Sequence, residues 1–202
     1  MKQPSLANSH YVVIDTELTS LDSRRNRLLS IGAVVMDGSR IRLGDPFYYL
    51  VNPGVDVPVE SVKIHKLRPL DVAQGIPPAD ALRELRDFAG DRVLVGHFFH
   101  IDLNALRKEL GDQQHEFRNP AICTARVHRW IVQNGPLHEN IHEKLENIDL
   151  ATLAREYDLE FREAHHALED AFLTARLWQK QMAKLQAMGI RDLAALLRIA
   201  KA

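Results

Sequence analysis

Tyr11-Val12-Val13-Ile14-Asp15-Thr16-Glu17 is the stretch on which the fold depends. Four consecutive β-forming apolar residues read as a short strand buried on both faces, since a strand with one wet face would alternate apolar and polar positions. Strands of that kind belong to sheets covered by helices on both sides. The run ends in two carboxylates spaced two residues apart. In extended backbone they share one face, where they repel each other and lose hydration. A cation relieves both costs; a plain turn at Asp15-Thr16-Glu17 is the competing explanation.

Outward from this strand, residues 28–36 read as a second strand. Asp37-Gly38 turns the chain into a third over residues 41–51, closed by Asn52-Pro53-Gly54. A helix over residues 80–89 follows Pro77-Pro78 and stops at Gly90, and Val93-Leu94-Val95 is another buried strand. A helix from about Asp102 carries Leu103, Leu106 and Leu110 on one face and stops at Gly111. Ala121-Ile122-Cys123 reads as the last strand, and the polar segment 134–146 as a surface excursion. Helices are expected over residues 149–157 and 166–184, the second with an apolar stripe of Leu168, Phe172, Ala175, Trp178 and Met182. A final helix over residues 191–199 packs on the body or swaps. The expected fold class is α/β, a central mixed five-stranded sheet flanked by helices. One domain over residues 1–202 is expected, with a core at about 10–186 and a C-terminal helix at about 190–200.

Composition narrows the function classes. Of 202 residues, 46% are hydrophobic and 26% charged, which excludes a disordered chain. Lys and Arg number 26 against 27 Asp and Glu, a formal charge of −1, so nucleic acid is not held by a basic surplus and any such function rests on local chemistry. The single cysteine, Cys123, closes no disulfide within the chain, which fits a reducing compartment. No apolar run approaches the ~20 residues of a membrane span, and the N-terminus lacks a secretory stretch. A cytoplasmic protein without a membrane partner is expected.

Like Asp15 and Glu17, Asp102 lies beyond a buried strand, where the openings of α/β sheets commonly hold ligands. Asp102 starts a helix just past a buried strand, where it either serves chemistry or complements the helix dipole. Asp170 lies in Glu163-Ala164-His165-His166-Ala167-Leu168-Glu169-Asp170. On a regular helix His165 and Asp170 would stand ~140° apart. They converge only if His165 precedes the helix; the bland readings are a structural histidine and a surface ion pair. Ala167 and Thr174, at −3 and +4 from Asp170, are small enough to admit a close neighbour. His166 reads as a solvated helix-start residue. Asp15, Glu17, Asp102 and Asp170 with His165 form a hard-oxygen set suited to Mg²⁺ or Mn²⁺. Such a set matches two-metal phosphodiester hydrolysis, in which a neutral histidine takes a proton from the attacking water.

The order Asp15-x-Glu17, Asp102, His165-x-Ala167-x-x-Asp170 resembles the DEDD exonucleases of the His-type branch. This family, with a ribonuclease H-like fold, includes the proofreading epsilon subunit of bacterial replicative polymerases. The similarity runs from about Tyr11 to Gln179 and takes in Leu29-Ser30-Ile31-Gly32-Ala33, Ile64-His65, Gly96-His97 and Asn147-x-Asp149-Leu150. It implies hydrolysis of single-stranded or frayed DNA from the 3′ end with release of nucleoside 5′-monophosphates. Asp15, Glu17, Asp102 and Asp170 would hold two Mg²⁺ ions, replaceable by Mn²⁺, and His165 would act as general base. Thr16, Leu18 and His65 would contact the terminal nucleotide.

The chain departs from the family pattern at Leu18-Thr19-Ser20, where Thr-Thr-Gly is usual, at Phe98, usually Asn, and at Ile101, usually Phe. Phe98 and Phe99 are either core or a stacking platform. Arg24, Arg25 and Arg27, and Lys63, Lys66 and Arg68, read either as a solvated face or as rims that track a strand. An RNA exonuclease on the same scaffold is the rival activity; a catalytically silent binding module would have lost one of the five residues. Partners compatible with the reading are a strand 3′ end, a polymerase or repair protein through Leu193, Leu196 and Leu197, and a second copy of the chain.

Overall fold

The computed structural model describes residues 5–111, 118–135, 145–161 and 165–202. Most of the expected polar excursion at 134–146, and Glu163 and Ala164 ahead of His165, lie outside the described residues. A single 3₁₀ turn at Leu6–Asn8 precedes β1 (His10–Leu18), β2 (Leu28–Asp37), β3 (Arg40–Ile41), β4 (Phe47–Leu50), α1 (Val59–His65), α2 (Pro69–Ala73) and α3 (Pro78–Ala89). Then come β5 (Val93–Gly96), α4 (His100–Leu110), β6 (Ala121–Cys123), α5 (Thr124–Asn134), α6 (Leu150–Glu156), α7 (Ala167–Ala187) and α8 (Leu193–Ala200).

β1 is the centre of a mixed sheet. It pairs antiparallel with β2 and parallel with β5, and β5 pairs parallel with β6. On its far edge β2 meets β3 through Met36 and Asp37 and β4 through Ser30 to Ala33. Six strands therefore occupy the five expected positions. The third strand expected over residues 41–51 is split in two by Gly44-Asp45-Pro46, because proline has no N–H to give the ladder.

The apolar run at the start of β1 is buried on both faces, and strand alternation decides which residue serves which layer. Val12 and Ile14 pack with Leu82 and Leu85 of α3 and Leu103 and Leu106 of α4. Tyr11 and Val13 face the other way, toward Trp178, Met182 and Leu185 of α7 and Leu196 of α8. Tyr11 and Trp178 meet edge to face at 5.7 Å, and the Tyr11 hydroxyl donates to the Leu6 carbonyl at 2.9 Å.

Several expectations change. α7 is buried more widely than the predicted stripe: Ala171, Leu173, Thr174 and Leu177 are buried and Phe172 is only half-buried, since the helix contributes to both apolar clusters. α8 lies against the body, with Leu196 and Ala200 fully buried and Leu193 and Leu197 half-buried beside them, so Leu196 is not free for a partner. The Ala202 N–H donates to the Ala121 carbonyl at 3.0 Å, which ties the end of the chain to β6. Helices α1, α2 and α5 were not anticipated. No described helix is long and apolar enough to cross a membrane.

Candidate active site

The alternation that sorts the core also sorts the polar end of β1. Asp15 and Glu17 continue the parity of Tyr11 and Val13 and so face the α7 layer, whereas Thr16 continues that of Val12 and Ile14 and faces α4. Asp170 stands in the first turn of α7. Carboxylate oxygens of Asp15, Glu17 and Asp170 all lie within 4.8 Å of one another. That convergence depends on close approach of helix to sheet. Asp15 is paired in register with Gly32, and a Cβ on Gly32 would overlap the backbone of Ala167 and Leu168. Ala167 and Thr174, the small residues flanking Asp170, are fully buried.

Asp102 reaches the same end of the sheet from the opposite layer, at the start of α4. It is buried, and one carboxylate oxygen accepts from the Thr16 N–H at 3.0 Å and from the Thr16 hydroxyl at 2.6 Å. Thr16 thus holds Asp102 against β1, at the residue between Asp15 and Glu17.

Four carboxylates converging at one place cannot all ionise cheaply. Desolvation, then Asp102, Asp170 and Glu17, raise Asp15 well above the ordinary carboxylate range. Desolvation and the charges of Asp170 and Asp102 push Glu17 up to about 8. Asp102 is raised to about 7 by desolvation, against the hydrogen bonds from Thr16. Burial also raises Asp170, opposed by nearby His165. Hard oxygen donors held close together and lacking a neutralising cation fit a divalent metal.

A cleft of about 580 Å³ opens over these acids and is lined also by Thr16, Leu18, His65, Phe98, Asp149 and His165. His165 precedes α7 with φ +41 and is exposed at the cleft, so it and Asp170 face one space despite their spacing. His166 is not solvated: its ring stacks on Tyr48 at 4.6 Å and 21°. Nor is His65 a surface residue, for it is 5% exposed. Its Nδ1 accepts from the Leu67 N–H at 3.0 Å, which assigns the ring proton to Nε2, a buried atom with no hydrogen-bond partner among the described residues. Leu18 is half-buried at the end of β1, packed on the apolar layer.

Gly96-His97 and Asn147-x-Asp149-Leu150 carry no assigned role in the sequence, and the structure makes them supports of this site. Buried His97 donates from Nε2 to the Ile148 carbonyl at 2.8 Å and pairs through Nδ1 with the Thr124 hydroxyl at 2.9 Å. Burial pulls its pKa down to about 4. Asp149 caps α6 by accepting from the Thr152 N–H at 2.9 Å, a role that the Asp-x-x-Thr spacing could have signalled. Of the basic residues, Arg27 pairs with Glu109 at 3.3 Å and Arg68 with Asp71 at 2.9 Å. Lys108 donates to the carbonyls of Arg24 and Asn26 at 3.0 and 2.8 Å, pinning the loop after β1.

Comparison with known proteins agrees with this geometry. The sequence pattern of the exonuclease family matches residues 12–178. The DNA polymerase III subunit epsilon of Aquifex aeolicus is 29% identical over 98% of this chain and 93% of its own length. The PolC-type DNA polymerase III of Clostridium perfringens is 27% identical over 94% of this chain, which spans only 13% of that polymerase. Among solved structures, exonuclease X bound to 5′-overhanging duplex DNA superposes with a TM-score of 0.70 at 20% identity, over 94% of this chain and 98% of the other. Escherichia coli exonuclease I bound to a dT13 oligonucleotide gives 0.75 at 18% identity, over 90% of this chain and 42% of that one. The family match extends over most of the chain and over every residue that brings an acid to the cleft, and the chain therefore belongs to the exonuclease family.

Proposed function

We propose that this protein, acting in the cytoplasm as one catalytic domain, removes nucleoside 5′-monophosphates from the 3′ end of single-stranded or frayed DNA. The observation that supports it best is the convergence of Asp15, Glu17 and Asp170, with Asp102 beside them, at the floor of a cleft open to His165. These four acids would hold two Mg²⁺ ions, or Mn²⁺ in their place. When bound, the ions would neutralise charge on the attacked phosphate and on the leaving oxygen.

The rest falls to the chain's own side chains. His165 takes the proton from the attacking water. Thr16 keeps Asp102 aimed at the reacting phosphate, and Leu18 contacts the terminal nucleotide by an apolar surface that reads no sequence. His65 offers its Nε2–H to an acceptor of that nucleotide, the one partner its buried donor lacks. DNA is favoured over RNA because the relatives include a DNA polymerase subunit and exonucleases solved with DNA.

Matched single-stranded DNA and RNA oligonucleotides, labelled at the 5′ end and incubated with Mg²⁺ or Mn²⁺, test the proposal. Stepwise shortening of DNA from the 3′ end is expected, abolished by Asp15→Ala. Faster shortening of RNA would replace DNA as the substrate, and no shortening of either strand would refute the assignment.

A further inference from the structure

Phe98 occupies a position that a phenylalanine should not favour. The turn from β5 into α4 sets its φ at +46, a region in which a bulky side chain is disfavoured and Asn is better tolerated. Core packing does not account for the choice. The neighbouring Phe99 is fully buried, and its ring lies so close to Gly96 that a Cβ there would overlap it. Phe98 is half-buried instead: part of it rests on the apolar layer and the rest lines the cleft with Ile101, Asp102 and Leu150. The His97 ring backs it edge to face, with centroids 4.7 Å apart at 66°. His97 is itself fixed at both nitrogens, by Ile148 and Thr124. An aromatic surface held rigidly at the floor of a cleft, on strained backbone, is what a stacking contact requires.

We propose that Phe98 is a stacking platform for a nucleobase of the strand end held in this cleft, and that it sets affinity for base-bearing ends without reading their sequence. The inference rests on the exonuclease reading and extends it to a specificity-determining residue.

The test compares steady-state cleavage of single-stranded DNA ending in ordinary nucleotides with the same strand carrying abasic tetrahydrofuran units at its last two positions. F98N and F98L are each expected to raise KM for the base-bearing strand roughly tenfold or more, with little change in kcat. F98Y keeps the ring and should stay close to wild type. On the abasic strand all four proteins should have similar KM. Thermal unfolding of F98N should match wild type closely, because Asn suits the positive φ, and F98L carries the test should F98N fold poorly. An equal rise in KM on both strands would assign Phe98 to structure alone, and no rise on either would remove it from the substrate. A wild-type protein that cuts neither strand overturns the exonuclease reading itself, a separate result.

Discussion

Along β1, Tyr11 to Ile14 are fully buried among apolar neighbours, whereas Asp15 to Leu18 are half-exposed and two of those four residues are carboxylates. One strand, one register with β2 and one alternation serve both halves. The first half stabilises the fold through burial, at ~25 cal/mol per Å² of apolar surface. The second uses the rigidity so gained to hold charges together where they repel. The strand is thus a stable beam whose far end carries a stored electrostatic cost, and removing that cost should stabilise the protein while ending its activity.

Asp15→Asn should break the comparison most visibly. Mononucleotide release is expected to fall roughly a thousandfold or more, while metal-free stability rises on the order of 1 kcal/mol because one of several mutually repelling carboxylates is gone. Gel assay and thermal unfolding in chelator would read the two effects. A parallel loss of stability would sink the idea of a stored cost.

On the proposed mechanism, in which His165 accepts the proton and holds no metal, His165→Ala should lower the rate by about 10²–10⁴ yet keep the Mg²⁺-induced rise in melting temperature. An unchanged rate would take the base assignment away from His165.

The pH dependence follows from the raised carboxylates. Glu17, at about 8, and Asp102, at about 7, titrate above their unfolded values. Acids raised in the folded state stabilise it fully below the unfolded pKa, and that contribution is lost as pH climbs through the folded values. Without metal, the melting temperature should decline steadily between about pH 5 and about pH 8. Adding Mg²⁺ at the upper pH should reverse the decline, and a flat profile without metal would contradict the acid cluster.

Ile14→Val, one residue before the acids, should give the smallest effect: a loss of about 0.5–1.5 kcal/mol with kcat unchanged below the melting transition. A large fall in kcat would mean that the two halves of β1 are not separable.

Much of the sheet and the acid cluster was legible because both rest on local pattern: an unbroken apolar run, carboxylates two apart, glycines ending helices. What escaped the reading depends on tertiary context. Pro58 precedes α1 and Pro69 opens α2, and helices of 7 and 5 residues leave too few turns for a period to emerge. α5 follows β6 without a loop, and its buried face mixes Val127, Ile131 and Val132 with Thr124 and His128, which blurs the apolar stripe. The Thr16 to Asp102 bond joins residues from opposite layers, and the burial of His65 depends on where α1 docks; neither has a sequence signature. Pro46 carried a clear signal against a continuous third strand, and the long β-rich run around it obscured that signal.

The missing Cβ at Gly32 has a bearing on synthesis. Asp15 and Gly32 leave the ribosome early, and His165, Ala167 and Asp170 late. Until α7 settles on Gly32, the acids of β1 lack Asp170 beside them and the cleft lacks His165. A partly made chain therefore holds no finished acid cluster, because Asp170 joins Asp15 and Glu17 only when the last long helix closes on the sheet.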